Sequence, residues 1–85
     1  MQTIFDPRHA SIIGNLRSAR RAADVSLEEL AARLARADRS QLSLSALSRI
    51  ERGERRLDVI ELYDLCTALG LPWRHVLPPE LRDAS

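Results

Sequence analysis

An all-α fold is what this sequence predicts, and three features predict it. Apolar residues recur at i, i+3 and i+4 in successive stretches, with no period-two alternation between them. Serine or aspartate precedes these stretches and glycine follows two of them, the signals that start and stop helices. The apolar complement is aliphatic: one Phe, one Tyr and one Trp in 85 residues leave Leu, Ile, Val and Ala to build the core. That length suits one domain, expected over 1–85 with its core at about 7–77.

Helix 1 is expected over residues 7–23. Asp6-Pro7 places a capping carboxylate before a proline in the first turn, where the missing N–H costs nothing. Ile12, Ile13, Leu16, Ala19 and Ala23 continue the stripe, interrupted by Gly14 at about 1 kcal/mol relative to alanine. Ser26 and Glu29 have the spacing of a capping box, and Leu27, Leu30, Ala31 and Leu34 form the apolar face of helix 2, from 27 to about 36. Residues 36–41 hold no apolar position and no glycine, so they either extend helix 2 or form a loop. Ser43 caps a short helix 3, from 44 to about 52, with Leu44 or Leu47 buried beside Ile50 and Gly53 ending it in the left-handed conformation. Asp58 and Glu61 form a second capping box before helix 4 at 59–69, whose stripe is Val59, Leu62, Leu65, Cys66 and Leu69; Gly70 closes it. A fifth helical turn runs through Trp73, Val76 and Leu77 until Pro78-Pro79 stops it, and residues 80–85 are expected to fray.

The net charge of +1 hides an asymmetry. Residues 8–56 hold eleven arginines against six acids, whereas residues 57–85 hold two arginines against five acids. Every basic residue is arginine, whose planar fork suits phosphate and guanine. A single cysteine, Cys66, excludes an internal disulfide and any multi-thiolate metal site, and on the stripe of helix 4 it reads as a buried hydrophobe. His9 and His75 lie 66 positions apart with no acid suggestive of a triad, and no Gly-rich phosphate loop occurs. No enzyme, cofactor or metal chemistry is expected. No apolar run reaches the ~18 residues of a membrane span, so a cytoplasmic protein with no membrane partner is expected.

Three stretches together resemble the Cro/repressor-type helix-turn-helix family, also called the XRE family: Leu27-Glu28-Glu29-Leu30-Ala31, Leu47-Ser48-Arg49-Ile50-Glu51-Arg52-Gly53 and Ala68-Leu69-Gly70-Leu71. The resemblance covers about residues 10–72. It implies a compact five-helix, lambda-repressor-like domain whose helices 2 and 3 form the helix-turn-helix. It further implies operator binding on double-stranded DNA, usually as a homodimer, in regulating transcription. Helix 3 would lie in the major groove, with Leu44, Ser45, Ala46 and Arg49 at the bases, Arg49 the leading reader of guanine. Ser26, Leu27, Ser48, Arg52, Arg55 and Arg56 would meet phosphate or sugar. A structural ion pair between Arg20 and Glu51 is implied as well.

Two departures from the family pattern stand out. About six extra residues near Arg36–Gln41 separate helix 2 from the recognition segment, either as an extra turn and a half of helix or as a source of further DNA contacts from Arg36 and Arg39. Leu27 and Leu44 stand where many members carry glutamine; leucine cannot make the bidentate adenine contact, and Leu44 is expected to pack in the core rather than touch a thymine methyl. Trp73, Val76, Leu77 and Leu81 form the expected dimer interface, unless Trp73 caps the core of the single chain. RNA polymerase or a toxin protein is a further partner that such a small regulator could take.

Overall fold

The computed structural model describes residues 6–82, and its helices begin where the capping residues stand. They are α1 (Pro7–Ala22), α2 (Leu27–Arg36), α3 (Leu44–Glu51), α4 (Val59–Leu69), a 3-10 turn (Trp73–Val76) and α5 (Pro79–Arg82). Asp6 accepts from the Arg8 N–H, Ser26 from Glu29, Ser43 from Ala46 and Asp58 from Glu61, each satisfying an otherwise orphaned amide. Asp58 and Glu61 complete a reciprocal capping box. The box expected at Ser26 is only half made, because Glu29 turns to Arg33 at 3.1 Å and Arg36 at 2.9 Å instead.

All four longer helices close on one device. A residue with positive φ (Asp24, Asp38, Gly53 or Gly70) follows the last turn. The next residue's N–H then reaches five positions back: Val25 to Arg20, Arg39 to Leu34, Glu54 to Arg49, and Leu71 to Cys66. Asp38 therefore ends α2 just after Arg36, at the expected boundary, and of the two readings left open for the following segment the loop is the one observed, over residues 37–43. The expected fraying after Pro79 is also corrected for 80–82. Pro79 starts a turn rather than stopping one, with the Leu81 and Arg82 N–H groups bonded to the Pro78 carbonyl. Residues 83–85 lie outside the described residues.

One apolar cluster holds the elements together. Ile13 and Leu16 of α1, Leu30 and Leu34 of α2, Leu47 and Ile50 of α3, and Leu62, Leu65 and Cys66 of α4 meet in it, joined by Val25, Leu42, Leu57, Val76 and Leu77 from the connections. Polar side chains tie the connections down. Asn15 donates to the Val76 carbonyl (2.9 Å), the Leu57 N–H donates to His9 Nε2 (3.0 Å), and Arg33 donates to the Ala68 carbonyl at the end of α4 (3.0 Å). Burial and the nearby Arg56 charge hold the His9 pKa below its ordinary value, favouring the neutral ring this bond requires.

Gly14 sits on the exposed side of α1, and a Cβ placed there meets nothing within 4 Å. Gly14→Ala is therefore expected to raise the urea unfolding free energy by about 0.5–1 kcal/mol, with the m-value unchanged.

Candidate nucleic-acid interface

Leu47 and Ile50 are almost wholly buried, which fixes the rotation of α3 about its axis. Ser45, Arg49 and Arg52 consequently face outward, Ser48 is half-buried beside them, and Ala46 leans partly against the core. Leu44 is 43% exposed. Its expected packing in the core is thereby corrected: Leu42, two residues earlier on the loop, turns inward and fills that place. Arg49 is exposed, and its side chain makes no ion pair or hydrogen bond within the described residues, so its whole guanidinium fork is available to a ligand. Arg52 bonds the Ser48 hydroxyl (2.8 Å) and Glu54 (3.0 Å) at the surface, and this guanidinium lowers the pKa of the Glu54 carboxyl. Exposed pairs of this kind are worth little, so a phosphate can displace Glu54 cheaply.

Beside α3 an open groove of about 510 Å³ is lined by Arg17, Arg20, Arg21, Leu27, Ser48, Glu51 and Arg52. Its floor is a fork-to-fork ion pair. Arg20 Nε lies 2.8 Å from one Glu51 oxygen and Nη2 3.0 Å from the other, while Nη1 donates to the Val25 carbonyl (2.8 Å). This pair locks α1 to α3 and neutralises Glu51, leaving Arg17, Arg21 and Arg52 to set the sign of the groove. The start of α2 borders it through half-buried Leu27, with capping Ser26 next in sequence and the positive end of the helix dipole behind both. Arg17 and Arg21 are absent from the sequence-derived contacts. They occupy the polar side of helix 1, and only the tertiary crossing of α1 and α3 brings that side to the recognition helix.

Three of the other arginines expected at DNA hold carboxylates of their own chain. Arg55 turns away from the surface onto Glu61, with 3.0 and 2.9 Å bonds that lower the Glu61 pKa, and so fastens the loop after α3 to the α4 cap. Arg56 is exposed on the same loop. Arg36 pairs with Glu29 on α2, and Arg39 points to Asp64 on α4 at 3.4 Å. Val76 and Leu77 are buried in the chain's own core, which removes them from the expected dimer interface; Trp73 is 42% exposed and Leu81 partly so. Val59, expected on the buried stripe of α4, is exposed together with Ile60 and Tyr63. Val59, Tyr63 and Trp73 line one shallow apolar hollow over Leu62, and Arg74 stacks 5.9 Å above the Trp73 ring.

Among the described residues no group of three or more His, Cys, Asp or Glu could hold a metal ion. Burial pushes the Cys66 thiol up to about 11, well away from a reactive thiolate at neutral pH. No helix among the described residues is long and apolar enough to cross a membrane.

Comparison with known proteins agrees with this geometry. No curated protein and no solved structure matches the chain. A family model described as helix-turn-helix matches residues 36–76, taking in the loop after α2, the whole of α3 and α4, and the 3-10 turn. The outward stripe of α3 and its arginine-lined flank belong to that matched segment and to the α1 surface beside it. The match to the helix-turn-helix family covers residues 36–76, a little under half of the chain, and supports a DNA-binding regulator of the Cro/repressor (XRE) type.

Proposed function

We propose that the chain acts as a single domain that binds an inverted-repeat operator as a homodimer, with α3 in the major groove, and represses transcription, including that of its own gene. The observation that carries this reading is Arg49, an unpaired guanidinium on the exposed side of the recognition helix, flanked by the groove of Arg17, Arg21 and Arg52. Arg49 would read guanine O6 and N7, Ser45 and Leu44 would touch neighbouring base edges, and Ala46 would leave room for close approach. Ser26, Leu27, Ser48, Arg52 and Arg56 would hold the sugar-phosphate backbone, joined by Arg17 and Arg21. Such work needs no cofactor and takes place in the cytoplasm.

The apolar hollow of Val59, Tyr63 and Trp73, with Ile60 beside it, supports the homodimer. A specific interface buries roughly 1,200–2,000 Å² in total, so across a two-fold axis this hollow would form its apolar centre. Two recognition helices would then reach successive major grooves, about 34 Å or 10 base pairs apart. Trp73→Ala is expected to stay helical by circular dichroism and to sediment as a monomer at micromolar concentrations where the wild type is dimeric. A folded Trp73→Ala protein that dimerises as the wild type does would place the interface elsewhere.

Exposed Leu44, in a position where many members of the family carry glutamine, favours a second reading: a protein-interaction module of the same fold with weak or no operator binding, either antitoxin-like or sequestering another regulator. Selection from a randomised duplex pool separates the two. Enrichment of an inverted repeat, followed by a gel shift that excess scrambled duplex does not abolish, supports the operator reading. A pool that emerges without sequence preference supports the module.

A further inference from the structure

Asp64 is the one buried charged residue among the described residues, and it lies on α4 beside the core residues Leu65 and Cys66. A carboxylate in that place is costly unless its oxygens are matched by hydrogen-bond donors. Its partners are two adjacent residues of the loop between α2 and α3. Oδ2 accepts from the Ser40 N–H (3.0 Å) and from the Ser40 hydroxyl, and Oδ1 lies 3.4 Å from Arg39 Nη1. These bonds hold the Asp64 pKa below its ordinary value, so the clamp is charged at neutral pH.

The loop is otherwise held at few points. Leu42 enters the core, its N–H bonds the Ser40 carbonyl, and the Gln41 side chain donates to the Arg39 carbonyl (2.8 Å). Ser40 is three residues before Ser43, the cap of α3. The later part of α3 is set by Leu47 and Ile50 in the core. Its first turn, with Leu44, Ser45 and Ala46, has no fully buried side chain of its own and joins the loop directly at its cap, Ser43.

We infer that Asp64, acting through Ser40 and Arg39, is a positioning residue for DNA readout: it fixes where the first turn of the recognition helix stands, and with it the discrimination between operators. This rests on the operator reading above. It also gives the long connection between α2 and α3 a task. Through Ser40 and Arg39 the extra residues reach back to α4 and tie the recognition helix to a third element.

The test compares wild type, Ser40→Ala, Asp64→Asn and Asp64→Ala on the selected operator and on scrambled duplex, at a temperature where circular dichroism shows each protein folded. Ser40→Ala leaves Asp64 the backbone amide and Arg39, so it keeps the test open if Asp64→Ala does not fold. The ratio of operator to scrambled affinity is expected to fall roughly tenfold in Ser40→Ala and Asp64→Ala, about the worth of one good base contact, with scrambled-duplex affinity unchanged. Asp64→Asn, which keeps an acceptor for the Ser40 amide, should retain more of the ratio than Asp64→Ala. Folded variants that keep the wild-type ratio, or lose both affinities alike, would overturn the positioning role while the operator reading stands. A wild type that selects no sequence overturns the operator reading, and the clamp's role with it.

Discussion

Glu51→Ala is expected to cost about 3 kcal/mol of folding free energy, the low end of the range for a fully buried pair, because both groups here are only partly buried. The variant leaves the Arg20 guanidinium with only the Val25 carbonyl, and Arg17 stands near enough to Glu51, at 3.9 Å, to add repulsion once the acid is gone. It also opens the apolar core, since Arg20 and Glu51 close a cavity of about 20 Å³ walled by Ile13, Leu16, Leu30, Leu47, Ile50, Leu65 and Leu69. For a domain whose total stability is on the order of 5–10 kcal/mol, this is a large fraction. Arg20→Ala should be milder on the charge side, because Arg17 can move in toward Glu51, although it leaves the Val25 carbonyl short of a donor. A double-mutant cycle by urea denaturation should give a coupling of about 2–3 kcal/mol. No coupling would remove the pair as a lock between α1 and α3.

Arg49→Ala is expected to lower operator affinity by roughly 1–3 kcal/mol and to relax preference at one base position in each half-site. Arg21→Ala, on the groove wall, should weaken every sequence alike by a smaller amount, since a phosphate contact carries no base information. Competition among single-base variants of the operator distinguishes the two. If the relative affinities are the same for Arg49→Ala and wild type, some other side chain on α3 reads the bases.

Much of this was legible from local chemistry. The capping residues Asp6, Ser26, Ser43 and Asp58 marked four helix starts, and Gly53 and Gly70 marked two ends, because each of these signals acts within a few residues. The end of α2 was hidden because aspartate, not glycine, takes the left-handed position at Asp38, a conformation it tolerates at modest cost. Leu42 gave no sign of its place in the core because it lies in a loop with no periodicity, whereas Leu44, expected there, stands exposed. Arg55 read as a surface cation because its partner is six positions away on the next helix, beyond any i, i+4 rule. Arg17, Arg21 and Asp64 gained meaning only from helix crossings and loop paths that join distant parts of the chain.

The pairing of arginines within the chain bears on the ionic conditions under which the protein can work. Among the described residues, at least eight of the eleven arginines between residues 8 and 56 lie within 4 Å of a carboxylate. A guanidinium that leaves such a carboxylate for a phosphate exchanges one anion for another, and the freed acid gathers cations in its turn. Fewer small ions are therefore released into solution on DNA binding than a tally of arginines suggests. Eleven unpaired cations on phosphate would give a log–log dependence of affinity on salt with a slope near −10 per subunit; this chain should fall well short of that. Its hold on a site would then rest more on fitted contacts than on counterion entropy, and would persist through swings in cellular potassium that strip a more nakedly charged binder from DNA.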